Sequence, residues 1–151
     1  MESARRMMDA DTASAALGIE LTELGEGRAV CRMTVSGQMV NGHTLCHGGY
    51  VFLLADTAFA CACNTYGPVT VAAGAEITFV APAREGDILV AEAAERTVYG
   101  RSGIYDVTVR RPDGQVVAEF RGRSRQLNAG PDGQHDRQHD RQHDRNPTAD
   151  H

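Results

Sequence analysis

The chain contains no lysine and no tryptophan. All fifteen of its basic residues are therefore arginine, a compositional bias before it is a functional signal. A formal net charge of -5, with no basic cluster beyond Arg121, Arg123 and Arg125, argues against a nucleic-acid surface. Those three alternate as residues on one side of a strand do. Cysteine is scarce, and Cys31, Cys46, Cys61 and Cys63 lack the spacing of a disulfide framework. Cys61 and Cys63 sit two apart on one helical stretch, where side chains do not face each other. This usage points to a reducing compartment, the cytoplasm. No apolar run is long and clean enough to span a bilayer. Asp9 and Asp11 interrupt what would have to be the apolar part of a leader after Arg5 and Arg6. What remains, at 151 residues, is one domain's worth of chain, enough for one full core and not for two.

The most informative stretch runs from His47 to Asn64. It opens on Gly48-Gly49 and continues as Tyr, Val, Phe, Leu, Leu, Ala, with Asp56 the one ionisable carboxylate or base before Asn64. A helix apolar on all sides is a buried helix. A carboxylate without a basic neighbour in such a helix costs several kcal/mol in desolvation unless something compensates, so Asp56 needs an explanation.

On either side of this helix the pattern is simpler. Residues Ser3 to Leu17 read as a short helix or two ending at Gly18, with Asp11 or Thr12 as a cap. Ile19–Leu24 and Arg28–Val35 flank the turn Gly25-Glu26-Gly27 as a hairpin, with Ala29, Cys31, Met33 and Val35 on one face. A loop from Ser36 to Cys46 leads to the glycines, and Gly67-Pro68 stops the helix. Four further strands follow, at Thr70–Phe79, Ile88–Tyr99, Ile104–Arg111 and Gln115–Gln126, separated by Gly- and Pro-bearing turns. In the last, Val116, Ala118, Phe120, Gly122 and Ser124 form the inside face. The fold class is therefore α+β, an antiparallel sheet of about six strands curved around one long helix. This domain covers residues 1–128. Residues 129–151 form a low-complexity tail, disordered by composition, in which Gln-His-Asp-Arg occurs three times in succession. The repeat sets His135, His139 and His143 at the spacing of one helix face, which suits a transition metal, but the plainer reading is a repeat without a role.

Two glycines at a helix start leave backbone N–H groups uncovered beside the positive end of the helix dipole, a ready site for an oxyanion. A tight turn explains the same pair equally simply. Asp56 lies eight residues beyond Gly48, about 12 Å along the axis, so the two cannot act on one carbonyl within one chain. If they cooperate, Asp56 comes from a second copy, with two antiparallel helices passing across a two-fold axis. The competing reading is a structural hydrogen bond from Asp56 to a strand. His43, Cys46 and His47 suggest a Cys nucleophile beside a His, or a metal site. Three ligands within five residues and no distant fourth make a poor zinc site, and lone cysteines more often pack inertly. Asn41 and His47 read as loop side chains that orient water or a carbonyl, with tethering of the loop as the alternative.

Asn41, His47-Gly48-Gly49, Ala55-Asp56, Asn64, Ile77-Thr78-Phe79, Pro82-Ala83, Gly86-Asp87, Gly100-Arg101-Ser102-Gly103-Ile104-Tyr105 and Gly122 occur in an order and spacing that resembles the hot-dog fold thioesterases of the PaaI type, associated with phenylacetate degradation. The resemblance spans about Leu17 to Leu127. It implies a helix wrapped by an antiparallel sheet, hydrolysis of acyl-CoA thioesters, often (hydroxy)phenylacetyl ones, and dimers that usually pair into tetramers. It implies that Asp56 is the general base or nucleophile, that the Gly48 amide of the other subunit polarises the thioester carbonyl, and that Asn41 and His47 position the reacting group. Gly49 joins the substrate-binding set. Arg101 and Ser102, on an exposed turn, are candidates to meet the coenzyme phosphates. No metal or separate cofactor is expected, since CoA enters with the substrate. A non-catalytic acyl-CoA-binding module and a hot-dog enoyl-CoA hydratase or dehydratase are the alternatives.

Overall fold

The computed structural model describes residues 1–127; the predicted boundary at residue 128 and the Gln-His-Asp-Arg repeats lie outside the described residues. Helix α1 (Glu2–Ala10) ends at Asp11, whose extended backbone starts α2 (Thr12–Ala16) while its carboxylate accepts the Ser14 N–H at 2.9 Å. The expected pair of short helices before Gly18, with Asp11 as the cap, is thus present. The N-terminal ammonium donates to the Thr65 carbonyl at 2.8 Å, tying this segment to the far end of the long helix.

Strands β1 (Glu20–Gly25) and β2 (Arg28–Thr34) form the expected hairpin, with an irregularity at Leu21 and Glu23. Its predicted inner face, Ala29, Cys31, Met33 and Val35, is buried. A 3-10 turn (Gly37–Met39) and a loop lead to α3 (Gly48–Cys63), and then to β3 (Thr70–Phe79), β4 (Ile88–Tyr99), β5 (Ser102–Arg110) and β6 (Val116–Gln126). All neighbours are antiparallel in the order β1-β2-β4-β5-β6-β3, and α3 lies on the concave side, mainly against β2, β4 and β5. The α+β reading, with six strands around one long helix, holds.

Phe59 of α3 is the centre of the core, with ring centroids 5.6 Å from Tyr105 and 5.8 Å from Phe120. Opposite it stands Gly122, where an added Cβ would come within 2.8 Å of three atoms of that ring. The strand therefore carries glycine because the helix carries phenylalanine. Alternation along β6 holds for Ala118, Phe120, Gly122 and Ser124 but not at its start, where Val117 is buried and Val116 only half-buried. The β5–β6 register shifts between Val109 and Arg110, and that irregularity turns the first residues of β6 over.

Two other expectations change. Arg121 and Arg123 do share the outer face, but Arg121 forks onto Asp106 at 2.7 and 3.0 Å and Arg123 stands 3.7 Å from Glu76. The basic stripe is largely neutralised across the strands. Helix α3 is also not buried all round: Phe52, Leu53, Asp56 and Ala60 form a half-buried line along it, whereas Leu54, Ala55, Ala58 and Phe59 are buried. At the sheet edge β3 is exposed over most of its length despite its apolar sequence, with Val71, Phe79 and the following Val80 open. Among the described residues no helix is long and apolar enough to cross a membrane.

Candidate active site

The loop before α3 is tightly specified. The Asn41 side-chain oxygen accepts the N–H groups of His43 (2.9 Å) and Leu45 (3.2 Å), and Thr44 takes a left-handed conformation (φ 62°) to close the turn. Cys46 and His47 donate their N–H groups to Ala83 (2.8 Å) and Met39 (2.7 Å). The tethering role for Asn41 is therefore real, and it occupies the oxygen alone. The amide nitrogen has no protein acceptor among the described residues, and Asn41 lines the cleft described below.

His47 is the N-cap of α3, and its Nδ1 accepts the Gly49 N–H at 2.9 Å. With Nδ1 accepting, the ring proton sits on Nε2. Tyr50 donates to the His47 carbonyl at 3.0 Å. Of the first amides, Gly49 and Tyr50 are thus taken, and the Gly48 N–H alone of these three has no acceptor among the described residues. This narrows the expectation for two open glycines: Gly48 offers the donor, while the Gly49 amide serves the cap. A Cβ at 48 would stand 2.8 Å from the tip of the Phe79 ring, so a larger residue there would push that exposed ring aside.

Gly48 and Asn41 share a cleft of about 510 Å³ whose walls include Leu45, Cys46, Val51, Phe79, Pro82 and Val117. This size and apolar lining suit a small acyl group and its linker. The strand end Phe79 to Ala83, part of the family pattern in the sequence, was not assigned there to the site; the signal for it is an apolar run continuing past the end of β3. Cys46 is 8% exposed, its Sγ lies 3.7 Å from the His47 carbonyl, and burial followed by the Asp87 charge pushes its thiol up. A protonated, buried thiol is a poor nucleophile. Among the described residues no His, Cys, Asp and Glu group is placed to hold a metal.

Asp56 is not in this cleft. It lies eight residues along α3 from Gly48, about 12 Å by helix rise, on the half-buried line. It makes no hydrogen bond or ion pair among the described residues, which removes the reading of a structural bond to a strand. Burial first, and the Asp11 charge second, hold its carboxyl above the ordinary carboxylate range. Two turns further along, Cys63 is pushed up to about 12 by burial, with a contribution from Asp56 itself.

Arg101 and Ser102 are elsewhere again. With Tyr66, Glu95 and Gln126 they line a pocket of about 280 Å³ beside Cys63, the last residue of α3. That is about 22 Å by helix rise from Gly48, so one chain does not bring them to the Gly48 cleft. The fold therefore unites Asn41 and Gly48, uses His47 and Gly49 to build the helix start, and keeps Asp56, Arg101 and Ser102 apart from them.

A family model described as the thioesterase superfamily matches residues 43–118 of the chain. The acyl-coenzyme A thioesterase PaaI of Escherichia coli is 44% identical over 126 residues, spanning 83% of this chain and 90% of that protein. The solved structure of the E. coli PaaI protein from the phenylacetic acid degradation operon is similar with a TM-score of 0.82 at 43% identity, covering 84% of this chain and 92% of that one. The TT0310 protein of Thermus thermophilus is similar with a TM-score of 0.74 at 36% identity, covering 78% of this chain and 98% of that one.

Proposed function

The chain belongs to the thioesterase superfamily, and from that membership we propose that it hydrolyses acyl-CoA thioesters, with aryl-acyl-CoA such as phenylacetyl- or hydroxyphenylacetyl-CoA as substrate. The observation that carries the reading is a pair of unsatisfied groups on one helix. Among the described residues the Gly48 amide has no acceptor and the Asp56 carboxylate no donor, and about 12 Å of helix separates them. Two copies related by a two-fold axis, with their α3 helices antiparallel, would bring the Gly48 of one against the Asp56 of the other.

At such a shared site the thioester carbonyl oxygen accepts from the Gly48 N–H at the positive end of α3, with the Asn41 amide nearby on the cleft wall. Asp56 of the second copy takes a proton from water as the water oxygen attacks the carbonyl carbon, or attacks that carbon itself. The tetrahedral oxyanion leans on the Gly48 N–H; loss of one such donor typically costs about 3–4 kcal/mol in barrier. On the water route the C–S bond then breaks and the thiolate leaves, taking up the proton, to give free acid and CoA. On direct attack, departure of the thiolate gives an acyl–Asp56 anhydride, which water then hydrolyses to free acid and the regenerated carboxylate while its released proton goes to the thiolate. Nothing beyond the coenzyme carried by the substrate is needed. Arg101 and Ser102, remote from Gly48 within one chain, are assigned to the coenzyme phosphates through the second copy.

The exposed apolar edge of β3 supports self-association, because an unpaired, hydrophobic edge strand is a template for pairing. Dimers pairing into tetramers, and residence in the cytoplasm where four free thiols persist, complete the proposal. The test is turnover of phenylacetyl-CoA and of short aliphatic acyl-CoAs by the protein and by Asp56→Asn. The variant is expected to lose at least 100-fold in kcat, on the order of a general base's contribution. Unchanged turnover would sink the assignment.

A further inference from the structure

A second carboxylate, Asp11 of the N-terminal segment, is tied to α3 at the residue after Asp56. Asp11, at the junction of α1 and α2, is held by Ser14, which donates its N–H to one carboxylate oxygen at 2.9 Å and stands with its hydroxyl 2.6 Å from the other. The Ser14 hydroxyl lies 3.0 Å from that of Thr57, the residue after Asp56 on α3. Ser14 and Thr57 are 1% and 7% exposed, so this bridge is an interior one. Fixing Asp11 costs the fold a repulsion it need not have had, since an uncharged cap would start α2 equally well.

We infer that Asp11 is a positioning residue of the reaction: latched through Ser14 to Thr57, it holds a like charge against the turn of α3 that carries Asp56, where a structural role would call for a counter-ion. The inference rests on the thioesterase reading above. Two carboxylates that share a site do not both ionise easily, so the one that works on substrate becomes a better proton acceptor when it does ionise. The direction agrees with the electrostatics, in which Asp11 adds to burial in raising the Asp56 carboxyl. Among the described residues the Asp56 charge also acts on Cys63, on the same helix, which stays protonated, and the Asp11 charge on Cys61.

The experiment is a titration of the Asp56 carboxyl by carbon NMR in the whole protein, beside the pH profile of kcat/KM. Wild type is compared with Asp11→Asn and Asp11→Ser, two neutral caps, and with Ser14→Ala, which loosens the latch but keeps both charges. Both neutral variants are expected to move the Asp56 midpoint, and the acid limb of the profile, to lower pH. Ser14→Ala should move both less, in the same direction. A midpoint unmoved in both neutral variants, or moved by Ser14→Ala alone, overturns the proposal, because a merely structural latch would give one of those results. An Asp56→Asn enzyme that stays active refutes the catalytic reading and with it the role of Asp11 in the reaction, whereas the NMR midpoint, which needs no turnover, separately shows whether the Asp11 charge acts on Asp56.

Discussion

Replacing Gly122 by alanine tests the core and the site together. The new Cβ would sit 2.8 Å from three atoms of the Phe59 ring, closer than real Cβ atoms come. The ring has no free direction, since Phe59 is 1% exposed and faces Tyr105 and Phe120 at 5.6 and 5.8 Å. Either α3 lifts or β6 bows. Overpacking of this kind costs about 1–3 kcal/mol, and the lower unfolded-state entropy of alanine returns about 0.4–1 kcal/mol. A net loss of about 1–2 kcal/mol corresponds to a Tm lower by roughly 3–8 °C for a chain of this size. Because Phe59 is three residues from Asp56 on the same helix, kcat/KM for phenylacetyl-CoA should fall about tenfold as the carboxylate is displaced. Combining Gly122→Ala with Phe59→Leu restores space, so the double variant should be more stable than the sum of the single losses by at least about 0.5 kcal/mol. A Tm unchanged by Gly122→Ala, or a strictly additive cycle, would refute the packing argument.

Asp56→Asn should melt higher than wild type near neutral pH while losing activity. The fold raises the Asp56 carboxyl, so the folded state binds this proton more tightly than the unfolded one. Stability is therefore lost as pH rises through the interval between the two midpoints, and the gain from asparagine should vanish below about pH 4; a gain independent of pH counts against it. Asp106, held low by Arg121 with help from Arg96, has the opposite sign. Its stabilisation is present above the ordinary carboxylate range and fades as pH falls through its lowered midpoint, and screening at this open surface keeps the effect of Arg121→Gln small in a urea titration. Val71→Glu places like charges along the exposed β3 edge and should give a lighter species in light scattering, with turnover falling in proportion to the dimer lost. Cys46→Ala should keep its turnover and resist inactivation by iodoacetamide no less than wild type.

Several parts of this protein were legible in its sequence because they depend on neighbours a few residues apart. The hairpin face from Ala29 to Val35, the Asp11 cap, the start of α3 at Gly48 and the ends of β3 and β4 follow from local periodicity and turn chemistry. The eight-residue interval between Gly48 and Asp56 also survives folding, because a helix fixes the rise per residue whatever surrounds it. Even the separation of Gly48 from Asp56 was therefore a property of the sequence.

Tertiary structure decided the rest. No periodicity reveals that β3 crosses to the far edge beside β6 and leaves its apolar length open, since strand order is set by packing around α3. The facing of Val116 and Val117 turned on a register shift against β5. That Arg101 and Ser102 lie by Cys63, at the other end of the helix from the Gly48 cleft of their own chain, was not legible either, because proximity across a sheet has no signature in spacing. The link from Asp11 through Ser14 to Thr57 spans more than forty residues of chain and depends on two hydroxyls meeting in the interior. Local sequence settles which backbone groups are left unpaired; only the packed fold settles which charges are brought to face them.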